Sequence, residues 1–407
     1  MLNQISGGVC AAKGFTAAGV HCGVKAGSSP DKNDLALILS EKECAAAATY
    51  TMNRVKAAPL YVTMDHLENG VAWGVVANSG NANACCPQSH ENAEAMSASA
   101  AAATGREPGD FVVASTGVIG QTINISAIQA GLPQAAAALS ADGSDAAAHA
   151  IMTTDTVKKE IAVSLTIGGK EVRLGAIAKG SGMIHPNMGT MLAFVTTDCA
   201  ITHEMLSDAL HEVVARTFNR VTVDGDTSTN DMCVVLANGM AGNSLIEWKD
   251  QDYETFLAAL EEVCRYLSRA IAGDGEGASK LVTCKMHGAR SEESAERLAK
   301  AVVGSSLVKA AMFGADANWG RVLCAMGYSK APFRPEHVDV SFCSQAGSIL
   351  VCKQGDGVDF DEDKAKTILT EKEVIIDVDL HEGDESAECW GCDLTYDYVK
   401  INGDYRT

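Results

Sequence analysis

The stretch KGSGMIHPNMGTMLAFVTTD, residues 179–198, decides how the rest of the chain is interpreted. A Gly-Thr pair, Gly189 and Thr190, stands between a Pro-Asn turn and an apolar run, with Lys179 and Gly180 upstream. One interpretation is a tight turn before a buried strand. The other is a peptide bond that its own threonine cuts, because glycine permits the strained backbone that such an attack needs. Gly-Thr pairs are common, so the pair alone does not decide.

The composition indicates a large protein built in layers. The chain has 407 residues, of which 47% are apolar but only 5% aromatic, so its core must be made of Ala, Val, Ile, Leu and Met. Small side chains let layers of helices and strands pack closely, and the length predicts two or more domains or lobes. The net charge of −20 opposes binding to nucleic acid or to an anionic membrane, since both need a basic surface.

The fourteen cysteines are scattered along the chain. No basic patch followed by an apolar run precedes them, and no stretch reaches the roughly 20 apolar residues of a membrane span. We therefore expect a cytoplasmic protein with free thiols and no membrane partner. Cys389 and Cys392 form one CxxC, but the second pair of a structural zinc site is missing, so we expect no metal.

Hydrophobic patterns predict both strands and helices. The predicted strands are residues 35–39, 74–77, 111–114, 191–197 and 394–399, with hairpins at 161–174 and 338–351. The predicted helices are residues 91–103, 206–218, 253–272 and 291–303, with one or two more in 125–150. Because strands and helices do not alternate regularly, the pattern favours an α+β fold over a doubly wound parallel sheet.

Five Gly-rich polar loops follow apolar strands. They are NSGNANA (78–84), STGVIG (115–120), AKGSGM (178–183), VDGDTSTND (223–231) and GDGEGAS (273–279). None is a GxxxxGK[ST] phosphate loop or a GxGxxG that opens a helix. Each loop alone is most simply a turn, but five of them favour a site built from loops at strand ends.

The residue types in these loops fit acyl transfer. A threonine hydroxyl is a weak nucleophile, but a cut before Thr190 would free an α-amine that titrates at about pH 7.7–8.0 and can act as its base. Thr116 and Gly117 could donate a hydroxyl and a backbone N–H to an oxyanion, although a capped turn explains them equally well. Glu276 could bind a cationic amine, or it could lie in a solvated surface loop.

Seven motifs carry a family resemblance. They are NSGNANA (78–84), STGVIG (115–120), TTDT (153–156), AKGSGMIHPNMGTMLAFVTTD (178–198), FNRVTVDGDTSTND (218–231), FGADANWGR (313–321) and WGCDLTYDYVKINGDYRT (390–407). With these motifs in this order, essentially the whole chain resembles the ornithine acetyltransferases of arginine biosynthesis, also called bifunctional glutamate N-acetyltransferases.

The resemblance implies a layered α/β/β/α-type sandwich that cuts itself between Gly189 and Thr190. The products would be an α chain of residues 1–189 and a β chain of residues 190–407, assembled as a heterotetramer of two α and two β chains. Thr190 would carry acetyl in a ping-pong cycle, from N2-acetyl-L-ornithine to L-glutamate, releasing L-ornithine and N-acetyl-L-glutamate. No metal or organic cofactor is implied, and acetyl-CoA stays open as a second acetyl donor.

The resemblance also assigns residues, motif by motif. Thr116 and Gly117 would form the oxyanion hole. The residues it assigns to substrate binding are Thr153 within TTDT, Lys179, Thr190, Glu276, Asn402 and Thr407. Lys179 could hold a carboxylate and Glu276 the side-chain amine of ornithine.

Two positions depart from the family pattern, and two other functions stay open. His185 stands where a small apolar residue is more usual, and Gly189 where alanine is; His185 is either a plain loop residue or one that tunes cleavage. One alternative function is a self-processed amidase or aminopeptidase, in which water takes the acyl group. The other is a non-catalytic binding protein that keeps the fold without cutting itself.

Overall fold

The computed structural model describes residues 2–25, 27–185 and 191–404. The predicted cleavage bond between Gly189 and Thr190 lies outside these residues, as does Thr407.

The described residues contain sixteen strands in two sheets. In chain order the strands are β1 (Asn3–Ile5), β2 (Phe15–Val20), β3 (Leu35–Tyr50), β4 (Val71–Asn78), β5 (Phe111–Ser115), β6 (Lys159–Ile167), β7 (Lys170–Lys179), β8 (Leu192–Thr197), β9 (Val221–Thr222), β10 (Met232–Ala237), β11 (Leu281–Ala289), β12 (Asp339–Ser344), β13 (Gly347–Lys353), β14 (Asp356–Gly357), β15 (Glu373–Asp379) and β16 (Glu385–Cys392).

Eleven α-helices lie in the same part of the chain. They are α1 (Ala58–His66), α2 (Ser89–Thr104), α3 (Ile125–Ala137), α4 (Ser144–Ala150), α5 (His203–Arg216), α6 (Gln251–Gly273), α7 (Glu292–Gly304), α8 (Ser306–Phe313), α9 (Trp319–Tyr328), α10 (Glu362–Leu369) and α11 (Tyr396–Asp404).

The long strand β3 divides the larger sheet into two layers. The strand order is β1-β6-β7-β8-β10-β3-β4-β5, with β2 also paired to β3. The first residues of β3 pair with β2 and β4, whereas its last six pair with β10. Its register against β4 shifts between Leu39 and Cys44. One continuous strand therefore takes part in both layers.

Three apolar clusters show how the layers are stacked. One lies between α5, α6 and strands β6, β7, β8 and β10, and a second lies between the two β layers. The third lies between the β2–β5 layer and helices α2 and α3. In β8, Leu192 and Phe194 belong to the inner cluster while Ala193 and Val195 contact the cluster under α5 and α6. The α+β prediction and the α/β/β/α layering are confirmed.

The smaller sheet forms a second lobe. Its order is β14-β13-β12-β15-β11-β16-β9, and helices α7 to α10 cover its apolar cluster. Cys389 and Cys392 lie three residues apart on β16, so their side chains point to opposite faces of the sheet and belong to different clusters. All fourteen cysteines are free thiols.

Most predicted elements are found, but the last strand is wrong. Residues 394–399 were expected to be extended, whereas β16 ends at Cys392 and α11 begins at Tyr396. The Thr395 hydroxyl accepts from the Tyr398 N–H (3.4 Å) and donates to the Gly277 carbonyl (2.6 Å). This cap and the contact with the 273–279 loop outweigh the β propensity of Tyr and Val.

No helix within the described ranges is long and apolar enough to cross a membrane.

Candidate active site

Six of the predicted site residues line one cavity. They are Thr116, Gly117, Thr153, Lys179, Glu276 and Asn402. The wall is completed by Ala82, Ile119, Thr154, Gly182, Met183, Ser228 and Asn230. All five Gly-rich loops contribute to it, as the sequence predicts. The remaining predicted residues, Gly189, Thr190 and Thr407, are outside the described residues.

The STGVIG loop after β5 needs a glycine at position 117. Gly117 has a φ of +126°, a conformation that L side chains rarely adopt. A Cβ there would also come within 2.9 Å of the Asn81 backbone nitrogen. The loop is thus packed directly against the loop that follows β4, and the Thr116 N–H donates to the Asn78 carbonyl (2.9 Å).

Asn230 joins these two loops to a third. Its Nδ2 donates to the carbonyls of Ala82 (2.6 Å) and Ser115 (2.9 Å), and Asn230 itself is buried. Buried amide groups with satisfied hydrogen bonds give such loops one defined arrangement. The resemblance had assigned no role to Asn230.

Lys179, at the end of β7, places a buried cation in the cavity wall. The residue is 7% exposed, and its ammonium makes no ion pair or hydrogen bond with another described residue. Burial lowers the pKa of Lys179, while Asp155, Asp231 and Glu276 act in the opposite direction. Binding an anion would offset the cost of burying this ammonium.

Behind Lys179 lies a buried cluster of charges. The Lys159 ammonium pairs with Asp155 Oδ1 (2.7 Å) and Asp274 Oδ2 (2.6 Å). Burial acts to raise the pKa of Asp155, but the charges of Lys179 and Lys159 outweigh it and lower that pKa to about 2. The Asp155 carboxylate is therefore ionised at neutral pH.

The two aspartates of the cluster hold loops of the cavity wall. Asp155 accepts from the N–H groups of Thr153 (3.1 Å) and Gly180 (2.7 Å). The Asp274 carbonyl accepts from the Ser181 hydroxyl (2.7 Å), and its carboxylate accepts from the Thr156 N–H (3.0 Å). The cluster therefore positions the backbone on both sides of the cavity.

Glu276 is the anionic counterpart of Lys179. It is 8% exposed, its N–H donates to the Ser181 carbonyl (3.0 Å), and its Oε2 accepts from Asn402 Nδ2 (2.7 Å). A Cβ at Gly182 would collide with the Glu276 carboxylate, so this glycine makes room for the carboxylate. The alternative of a solvated loop is thus wrong for Glu276.

His185 lies outside the cavity wall. Its Nδ1 lies 3.0 Å from the Thr222 hydroxyl, and burial together with the nearby Lys300 charge lowers the pKa of its ring to about 4. The ring is therefore neutral at pH 7.

Sequence reasoning missed the cluster formed by Asp155, Lys159 and Asp274. One signal was present, since Lys158 and Lys159 are adjacent just before the hairpin predicted at residues 161–174, and neighbouring residues of an extended chain face opposite sides. Lys158 faces outward and pairs with Asp145 and Glu160, and Lys159 faces inward.

Comparison with known proteins identifies the family. The profile of the ArgJ family matches residues 16–407. The chain is 53% identical over 407 residues to the arginine biosynthesis bifunctional protein ArgJ of Symbiobacterium thermophilum, with 100% of both chains covered. It is 49% identical over 394 residues to arginine biosynthesis bifunctional protein ArgJ 1 of Clostridium acetobutylicum, covering 97% of this chain and 96% of that one. The chain belongs to the ArgJ family.

A solved ArgJ structure is also similar. The crystal structure of the arginine biosynthesis bifunctional protein argJ from Bacillus halodurans is 47% identical, with a TM-score of 0.50, and covers 52% of this chain and 98% of that chain. Membership of the ArgJ family confirms the resemblance drawn from the motifs and the class of the enzyme, an acyltransferase of arginine biosynthesis.

Proposed function

We propose that this ArgJ enzyme transfers the acetyl group of N2-acetyl-L-ornithine to L-glutamate through an acetyl ester on Thr190. The observation that carries the proposal is the pair Lys179 and Glu276, two buried and oppositely charged residues in the wall of one cavity. The same wall contains Thr116 and Gly117, the two proposed oxyanion donors.

The charges of the cavity match the substrates. N-acetylornithine carries an α-carboxylate, which Lys179 binds, and a side-chain ammonium, which Glu276 binds. Glutamate also has an α-carboxylate, so Lys179 serves both half-reactions. Thr153 and Asn402 complete the polar wall around the substrate, and we assign Thr407 to the same role from its motif.

The chemistry needs a nucleophile, a base and an oxyanion hole. The Thr190 hydroxyl attacks the acetyl carbonyl, and its α-amine takes the hydroxyl proton and passes it to the departing ornithine nitrogen. Thr116 and Gly117 donate to the oxyanion. The glutamate α-amine then attacks the Thr190 ester, one proton returns to the Thr190 oxygen, and N-acetylglutamate leaves. This cycle uses no metal or organic cofactor; acetyl-CoA is a second donor to be tested.

The free α-amine requires a prior cut. Thr190 attacks the Gly189 carbonyl, the acyl group moves from nitrogen to oxygen, and water hydrolyses the ester to leave residues 1–189 and 190–407. The solved Bacillus halodurans chain, about half as long as this one, supports the proposal because a cut at this bond would give chains of about that length.

Strand pairing explains how two chains would stay together. Residues 174–179 of strand β7, before the bond, pair with β8, after the bond, and β3 pairs with β10. Both pairs join residues of the proposed α chain to residues of the proposed β chain. We propose that two such αβ pairs form the heterotetramer.

The half-reaction with N-acetylornithine alone tests the transfer mechanism. We expect the peptide that begins at Thr190 to gain one acetyl group by mass spectrometry and to lose it when glutamate is added. Thr190→Ala should give neither acetylation nor transfer, and Thr116→Ala should slow transfer by roughly 10²-fold or more. Steady acetate release without glutamate would instead favour the amidase.

A further inference from the structure

The backbone just before the proposed cleavage segment has an unusual conformation. Met183 has a φ of +56°, in the left-handed region that residues other than glycine seldom adopt. Its N–H donates to Asp224 Oδ2 (2.7 Å), and the N–H of Ile184 donates to Asp224 Oδ1 (2.9 Å). One carboxylate therefore binds two successive amides, and it stabilises a turn that costs free energy on its own.

Val223 and Thr227, which lie near Asp224 in the chain, bind the carbonyls of residues 184 and 185. The Val223 N–H donates to the Ile184 carbonyl (2.6 Å), and the Thr227 hydroxyl donates to the His185 carbonyl (2.8 Å). Each of these hydrogen bonds joins a backbone group of residues 183–185 to a group of residues 223–227. These five residues, which we call the 223–227 clamp, belong to the half of the chain that follows the proposed cleavage bond.

The continuation of the clamp holds the other side of that bond. The Met232 N–H donates to the Met191 carbonyl (2.9 Å), and Asn230 binds the carbonyls of Ala82 and Ser115 beside the oxyanion loop. Residues 223–232 thus bind the chain before the bond, the chain after it and the strand end that leads to Thr116.

We propose that Asp224 is a positioning residue for self-cleavage. Its carboxylate fixes the backbone conformation of Met183 and Ile184, which precede the Gly189–Thr190 bond. This backbone conformation sets the rate of the acyl shift. The inference rests on the proposed self-cleavage. Asp224 itself is not in the cavity wall, but Met183, which it holds, is, so the test follows cleavage itself rather than transfer activity.

Two substitutions in the same loop separate the carboxylate's contacts from its charge. Asp224→Asn leaves one acceptor oxygen and turns an NH2 donor toward the second amide, so one of the two N–H groups loses its acceptor. Asp226→Asn removes the same charge two residues away, at a side chain that is exposed and makes no hydrogen bond to residues 183–185. It is the matched control.

The test follows cleavage of the full chain by pulse–chase in cell-free translation, counting only the soluble fraction. We expect Asp224→Asn to convert into two chains roughly tenfold more slowly than wild type or slower still, and Asp226→Asn to match wild type. Adding Met183→Gly to Asp224→Asn should restore most of the rate, because glycine adopts a φ of +56° without strain.

Three results would overturn the inference. Asp224→Asn could cleave at the wild-type rate, Asp226→Asn could slow cleavage equally, or Met183→Gly could fail to restore the rate, which would indicate a merely structural carboxylate. If wild type itself stayed a single chain, the proposed self-cleavage would fail, and this inference with it.

Discussion

We expect substrate recognition to depend most on Lys179. A buried ammonium loses the solvation energy that water provides, and a nearby anion is needed to offset that loss. Asp155, whose charge acts on Lys179, already pairs with Lys159 and accepts two backbone N–H groups. We propose a substrate carboxylate as the further partner of Lys179.

We expect Lys179→Met to raise the KM for N-acetylornithine and for glutamate together. Loss of a hydrogen bond to a charged group costs about 1.5–3 kcal/mol, which corresponds to roughly 10- to 100-fold. Steady-state kinetics with each substrate varied in turn measures it. Lys158→Met, which removes an exposed lysine paired with Asp145 and Glu160, is the control and should leave both KM values unchanged. An effect on only one substrate would contradict a shared carboxylate site.

The sequence motifs predicted residues of the cavity wall, but not the aspartates that hold the wall in place. The loops were recognisable because their sequence motifs are long and distinctive. Six of the residues predicted from them line one wall of the cavity: Thr116, Gly117, Thr153, Lys179, Glu276 and Asn402. Asp224 and Asp274 could not be found in this way, since an aspartate in a polar loop is usually solvated. Only the fold brings them to buried backbone amides.

Helix α11 shows why local propensity failed at the scale of elements. Tyr396 is 84% exposed, and no residue of the helix is fully buried, so an apolar face does not hold it in place. It is held instead by the Thr395 cap, by the close approach of Gly277 to Asp397 and Tyr398, and by the bond from Asn402 to Glu276. None of these contacts follows from periodicity.

We expect Thr395→Val to loosen α11 and weaken substrate binding without unfolding the protein. The substitution removes the cap and the bond to Gly277, at a cost of about 1 kcal/mol to the helix. The KM for N-acetylornithine should rise several-fold, because Asn402 no longer orients Glu276, while the Tm changes little.

Thr395→Ser keeps the hydroxyl and is the matched control for that helix. Unchanged KM in Thr395→Val, with hydrogen exchange showing α11 still protected, would mean that the cap does not govern the site.

For the whole molecule, the buried charge cluster connects the two proposed chains. Asp155 and Lys159 precede the proposed cleavage bond, whereas Asp274 follows it at the end of α6. Lys159→Met leaves two buried carboxylates without their shared cation, and breaking such a pair costs about 3–5 kcal/mol. We expect a large fall in Tm at pH 7, and Lys158→Met should show none.

The pH dependence of stability follows from the lowered pKa of Asp155. The pKa of Asp155 is about 2 in the folded state, against an ordinary value of 3.8. Its contribution to the free energy of unfolding is therefore complete above pH 3.8 and is lost as the pH falls toward 2. Without Lys159 the folded pKa rises toward its ordinary value. The difference in Tm between wild type and Lys159→Met should therefore shrink in acid; an equal difference at every pH would contradict this.

The layered fold was predictable because a resemblance covered nearly the whole chain. The apolar run of β8, which predicted a strand buried on both faces, and the hairpin β6–β7 agreed with it from the residues alone. The stacking of one bent sheet on itself was not predictable from patterns, since it depends on β3 pairing with different partners along its length.

The proposed function requires Thr190 to cut the chain and become its nucleophile. The intact mass of the purified wild-type protein under denaturing conditions, with N-terminal sequencing, tests this requirement. We expect two chains, 1–189 and 190–407, the second beginning Thr-Met-Leu-Ala. A single chain of 407 residues that still transfers acetyl would contradict it.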